Sequence, residues 1–178
     1  MGLEMKTQLT ILTNDPSITA WGWAVIRNGK VIDTGCIKTS SEQKARRIRK
    51  GDDRVRRVSE INRALLLLIN KYRVNLLISE LPHGSQSASA AVMIGICTGV
   101  VQTLADTLCL PIEWYSEGDA KKAVVNKRSA SKSEMIKAIS ELYKVPWTGI
   151  GYKDEAIADA LAVYRVAENE SPVLRFHK

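Results

Sequence analysis

Ile11-Leu12-Thr13-Asn14-Asp15-Pro16-Ser17, followed closely by Trp21-Gly22-Trp23-Ala24-Val25-Ile26, decides how the rest of the chain is read. The first apolar run ends on an acid, and Pro16 stops it, because a proline has no amide hydrogen to give a neighbouring strand. Asn28-Gly29 then separates the second run from a third, Val31 to Ile37. An Asn-Gly pair between two β-rich segments predicts a tight hairpin. Gln8 to Lys38 therefore reads as a three-stranded antiparallel meander with Asp15 at the end of its first strand.

Further along, the same ending recurs. Asn75 to Ser79 is a short apolar run that stops at Glu80. Before it, Val55, Val58, Ile61, Leu65, Leu68 and Tyr72 return at three- and four-residue intervals, which is one face of a helix. Ser87 to Leu108, rich in Ala, Gly, Val and Ile, predicts a long, closely packed central helix, and Ile112 to Tyr115 a fifth strand. Ser131-Lys132-Ser133-Glu134 is a capping box that opens a helix running through Tyr143. Pro146 to Gly151 is a loop, and Lys153 to Glu168 the last helix.

Strands and helices in that order predict an α/β fold: a five-stranded mixed sheet, antiparallel over the first three strands and then parallel, with helices on both faces. Strands joined through helices run parallel with right-handed crossovers. Strands one and four then lie side by side, with Asp15 and Glu80 at the edge where open α/β sheets form their sites.

The 178 residues suit one domain, taken as residues 5–178. Met1-Gly2-Leu3-Glu4, ahead of Met5, is set aside as a cloning remnant. A net charge of +7 and a pI near 9.4 point to a polyanionic partner. Much of that charge is concentrated in Lys44, Arg46, Arg47, Arg49, Lys50, Arg54, Arg56 and Arg57. Cys36, Cys97 and Cys109 lack metal-binding spacing, so neither zinc nor thiol chemistry is expected. No run approaches the roughly 18 consecutive apolar residues of a membrane span, and no membrane partner is expected.

A carboxylate at the end of a buried strand is costly unless it is paired or binds a cation. Asp159 sits in a similar setting, within Ala156-Ile157-Ala158-Asp159-Ala160-Leu161-Ala162. Any one of these acids could cap a helix or pair with an arginine. Three together favour a site for hard divalent cations.

These residues carry a resemblance. The run from Ile11 to Ser17, the Gly22-Trp23-Ala24-Val25 strand, Gly35-Cys36-Ile37-Lys38-Thr39, Leu77-Ile78-Ser79-Glu80 and Asp159-Ala160-Leu161-Ala162 are similar, in order and spacing, to motifs of RuvC-type Holliday junction resolvases, which have the RNase H-like fold. The phage branch of that family is the nearer likeness. It extends from Ile11 to Ala167 and implies a DNA endonuclease that nicks opposed strands of four-way junctions as a homodimer. Asp15, Glu80 and Asp159 would be its metal-binding acids, with two Mg²⁺ ions per site and Mn²⁺ able to substitute.

By the same resemblance Lys132 and Lys121 lie near the scissile phosphate, with Lys122 alongside. The whole basic segment from Lys44 to Arg57, Arg46, Arg47, Arg49 and Lys50 included, would follow the DNA backbone without reading bases, which makes affinity steeply salt-dependent. The cytoplasm of a bacterial or phage-infected cell is the expected location.

Three positions depart from the family pattern. Ser17 stands in place of a glycine, and His83 in place of an aromatic that meets junction bases. Ala156 stands in place of a fourth acid. Glu155 lies about 40° from Asp159 around a helix, against about 140° for Asp154, so Glu155 is the expected fourth ligand and Asp154 a capping residue. Two other readings are an actin- or hexokinase-like phosphotransferase and a branched-DNA-binding protein that has lost cleavage.

Overall fold

The computed structural model describes residues 8–177, without the side chain of Arg46. Met1 to Glu4, set aside from the sequence, lie outside the described residues. Three strands come first: β1 (Thr10–Asp15), β2 (Ala20–Arg27) and β3 (Lys30–Lys38). The hairpin between β2 and β3 turns on Asn28 and Gly29, with φ of 51° and 72°, the two positive angles that this pair adopts readily. A short helix α1 (Gln43–Arg46) and a long helix α2 (Lys50–Tyr72) lead to β4 (Leu76–Leu81). Then follow α3 (Ala88–Thr107), β5 (Ile112–Ser116), α4 (Glu117–Val125), α5 (Lys132–Leu142), α6 (Gly151–Glu170) and α7 (Pro172–Phe176).

The sheet order is β3-β2-β1-β4-β5. β1 pairs antiparallel with β2 and parallel with β4, Asn14 opposite Ser79, so the next residues, Asp15 and Glu80, stand in adjacent rows. Side chains alternate across a strand, and the core divides accordingly. Ile11, Ala24, Ile26, Leu76 and Ile78 pack with Ile157, Leu161, Met135 and Ile139 beneath α5 and α6. Leu12, Val25, Leu77 and Trp21 pack on the opposite face with Ile61, Leu65, Cys97, Val101 and Leu104 of α2 and α3. Glu80 shares the parity of Leu76 and Ile78, and Asp15 that of Ile11. Both acids therefore face α6.

Two readings of the sequence need correction. α3 has the expected length but is not a closely packed central helix. Its buried residues are Cys97, Val101, Leu104 and Ala105, and Val92 and Ile96 are exposed. By length and composition alone it is apolar enough to cross a bilayer. It instead links two parallel strands of one sheet, and its inner face closes one of the two cores. The second correction is α4, a helix not expected from the sequence. Ser116 caps it by accepting a hydrogen bond from the Asp119 amide at 3.1 Å.

Candidate active site

All the elements that carry candidate residues converge on one end of the sheet. β1 ends there with Asp15, β4 with Glu80 and Leu81, and β5 with Ser116, directly before α4. β2 begins and β3 ends at the same end, because both are antiparallel to their neighbours. α6 reaches the end by lying on Gly22: a Cβ there would stand 1.9 Å from the Ala156 carbonyl oxygen. Only a glycine lets the helix backbone approach so closely. That contact sets Asp159, one turn further on, above Asp15 and Glu80.

The three acids lie together at this end of the sheet, Glu80 buried and Asp15 and Asp159 half-buried. Glu80 is 8% exposed. Among the described residues, no hydrogen bond or ion pair reaches the side chain of Asp15, Glu80 or Asp159. Burial, then the charges of Glu80, Asp159 and Glu117, push the Asp15 carboxyl far above its ordinary range, against the pull of Lys132. Burial and the charge of Asp159 raise Glu80 to about 8. Asp159 is raised to about 6, mainly by burial, with Lys121 and Lys132 opposing the shift.

Carboxylates left this way attract a cation, and all three are the hard oxygen ligands that Mg²⁺ or Mn²⁺ prefers. Among the described residues no three side chains close into a ready-made cage. An octahedral ion that keeps several waters and takes substrate phosphate oxygens does not require one. The donor set therefore fits a divalent metal.

The remaining candidates are sorted by their contacts. Lys132 opens α5 and ion-pairs with Glu155, placing both at the α6 side of the pocket. Asp154 turns the other way, accepting hydrogen bonds from the Thr148 amide and hydroxyl at 2.8 and 2.7 Å and the Gly149 amide at 3.0 Å. It ties down the loop ahead of α6. Lys121 lies on the β5 side, paired with Glu117. Lys122 is exposed on the same helix, and His83 is exposed in the loop between β4 and α3.

The basic segment divides in two. Arg47, Arg49 and Lys50 are exposed, Arg49 holding Asp52 at 2.7 Å, and Arg46 closes α1. Arg56 and Arg57 are structural, which corrects the expectation that the whole stretch follows phosphates. Arg56 pairs at 2.8 Å with the buried Asp53 and holds its carboxyl well below the usual range. Asp53 in turn accepts the Glu42 amide. Arg57 reaches the Ile18 carbonyl, the Thr19 hydroxyl and the Thr39 hydroxyl at 3.1, 3.0 and 2.8 Å. It clamps the turn that follows Asp15 to the end of β3. Sequence reasoning missed this clamp and Glu117; the signal for Glu117 was present in the capping pattern Ser116-Glu117-Gly118-Asp119 that follows a strand.

The raised carboxyls make a stability prediction. Folding raises Glu80 from 4.5 to about 8, so the folded state binds its proton more tightly than the unfolded chain. The resulting stabilisation is full below the ordinary range and is lost as pH rises through about 8. Glu80→Gln keeps the shape without the charge. At alkaline pH and without metal it should stabilise the fold by on the order of 2 kcal/mol, about 5 °C in Tm. Thermal melts at acid and alkaline pH check this: the gain appears on the alkaline side, and a variant less stable at both ends refutes it.

Residues 11–166 match the family described as crossover junction endodeoxyribonuclease RuvC. The RuvC of Protochlamydia amoebophila is 27% identical over 175 residues, 96% of each chain. That of Halothermothrix orenii is 28% identical over 162 residues, 87% of this chain and 89% of its own. The solved structure of T. thermophilus RuvC in complex with a Holliday junction substrate shares the fold with a TM-score of 0.67 at 21% identity, covering 88% of this chain and 91% of that one. The chain thus belongs to the RuvC family of crossover junction endodeoxyribonucleases.

Proposed function

We infer that this protein is a structure-selective DNA endonuclease that resolves four-way junctions by metal-dependent phosphodiester hydrolysis, in the cytoplasm of a bacterial or phage-infected cell. Membership of the family implies dependence on a divalent metal; we assign two Mg²⁺ ions to each site. The observation that carries the reading is the convergence of Asp15, Glu80 and Asp159 at one end of the sheet, with Lys121 and Lys132 held beside them. A bound metal pair activates the attacking water and stabilises the leaving 3′ oxygen.

The chain's own groups do the remainder. Asp15 at the end of β1, Glu80 at the end of the neighbouring β4 and Asp159 on α6 would hold the metal pair between them. Glu155 assists from the α6 side while holding Lys132. Lys132 and Lys121 donate to the phosphate oxygens, where negative charge grows during displacement. The apolar floor of Ile11, Ile78 and Ile157 keeps bulk water out from below. His83, exposed in the loop after Glu80, would stack on an unpaired base at the crossover. Arg46, Arg47, Arg49 and Lys50, with Lys122, hold the phosphate backbone outside the pocket without reading its sequence.

A junction presents two equivalent strands, and cutting both within one encounter calls for two sites related by a two-fold axis. The exposed apolar side of α3, with Val92 and Ile96, supports a homodimer in which a second copy covers it. Cleavage of four-way, three-way, flap and linear DNA in Mg²⁺ tests the whole reading. Paired nicks at symmetric positions in the four-way junction are expected, with linear DNA left intact. Tight junction binding without any nick would favour the lost-cleavage alternative, whereas phosphoryl transfer from a nucleotide would favour the phosphotransferase one.

A further inference from the structure

Each of the two lysines beside the acid pocket is already held by a carboxylate. On the α6 side Lys132 pairs with Glu155, a residue to which the sequence had given a role. On the β5 side Lys121 pairs with Glu117, which neither the family motifs nor the metal reading uses. Topology brings it there. Tyr115 stands opposite Glu80 and Ser116 opposite Leu81, and Glu117 begins α4 at that same end of the sheet. One helical turn separates Glu117 from Lys121, with the acid on the N-terminal side, the favourable order for such a pair.

For stability this contact matters little, because Glu117 is about half exposed and such pairs contribute weakly. Its consequence is where it leaves the ammonium. Lysine carries its charge on a flexible four-carbon stem, and the other negative groups near Lys121 are Glu80 and Asp159, both of which feel its charge. An unanchored Lys121 would fold in onto those two acids, occupying the place of the cation. We propose that Glu117 is a positioning residue for the reaction: it anchors Lys121 at the mouth of the acid pocket, so that the ammonium faces the scissile phosphate and leaves Glu80 and Asp159 open to metal.

The inference rests on the reading of Lys121 as a phosphate-contacting group. The experiment compares the full chain with Glu117→Gln, Lys121→Met and the double variant. Three quantities are read: single-turnover cleavage of a saturating four-way junction, junction Kd, and Mn²⁺ affinity by calorimetry without DNA. Glu117→Gln should slow cleavage about fivefold and weaken Mn²⁺ binding by a similar factor, with junction Kd and Tm unchanged. In the double variant, cleavage should be no slower than in Lys121→Met alone, and Mn²⁺ affinity should recover, because the competing ammonium is gone.

Rate losses that multiply, or a Mn²⁺ defect that persists without Lys121, would overturn the proposal by making Glu117 act independently of the lysine. Normal cleavage by Glu117→Gln beside a slow Lys121→Met would overturn it while leaving the reading of Lys121 intact. Normal cleavage by Lys121→Met would remove that reading and the proposal with it.

Discussion

Asp15→Asn should abolish strand cleavage, by at least about a thousandfold or on the order of 4 kcal/mol of barrier, while four-way junction affinity stays within about twofold. Asparagine has the same shape and fits the same strand end, so the sheet and its neighbours are undisturbed. What it lacks is charge. Asp15 ends β1, between β2 and β4, beside Glu80 and beneath Asp159, and on the proposed reading a neutral amide there removes a central metal ligand. On the proposed reading junction affinity comes from the exposed basic side chains of Arg47, Arg49, Lys50 and Lys122, none of which touches Asp15. The same exchange relieves repulsion with Glu80 and Asp159, so the metal-free variant should melt no lower than the parent at neutral pH. Gel analysis of nicked products, with anisotropy titration of a labelled junction, separates the two effects. Cleavage within tenfold of the parent would remove Asp15 from the centre of the site.

Gly22→Ala should be the most damaging substitution outside the acids. The added methyl carbon would stand 1.9 Å from the Ala156 carbonyl oxygen and 2.3 Å from its carbon, far inside van der Waals contact. Both partners are backbone, one in a central strand and one in a helix packed on it, so neither moves alone. The relief available is a shift of α6 away from the sheet, which opens the core around Ile157 and Leu161. Overpacking of this kind costs about 3 kcal/mol or more, about 5–10 °C in Tm for a chain of this size. Asp159 rides on the displaced helix, so cleavage should fall by at least about a hundredfold even in molecules that stay folded. Thermal melts and single-turnover rates measured below the melting range distinguish instability from displacement. A variant with parental Tm and rate would mean that α6 does not bear on Gly22.

Much of this was legible in the sequence because it depends on local chemistry. Apolar runs ending at Asp15 and Glu80, the Asn28-Gly29 turn and the Ser131 capping box each specify their own piece of backbone, and strand parity then sends both acids to the α6 face. The angular separation of Asp154 and Glu155 likewise needed only helix geometry. Asp154 faces the Thr148–Gly149 loop, and Glu155 the pocket beside Lys132.

What stayed hidden depends on distant partners. The sequence shows an apolar α3 but not that much of its surface lacks a covering layer. It shows a row of arginines but not that Asp53, Thr39 and the Ile18–Thr19 turn engage two of them. Gly22 reads as an ordinary strand glycine until a helix is laid across it. α4 was passed over because its nine residues carry too short an apolar pattern to stand out, and Glu117 was passed over with it.

The central claim is that Asp15, Glu80 and Asp159 hold metal for strand cleavage, and its most direct measurement is the single-turnover rate on a four-way junction against Mg²⁺ concentration. The account predicts no cleavage in excess chelator, full recovery on adding Mg²⁺ or Mn²⁺, and a rise at low metal that is steeper than first order, as two bound ions require. Cleavage that persists undiminished in chelator would contradict it.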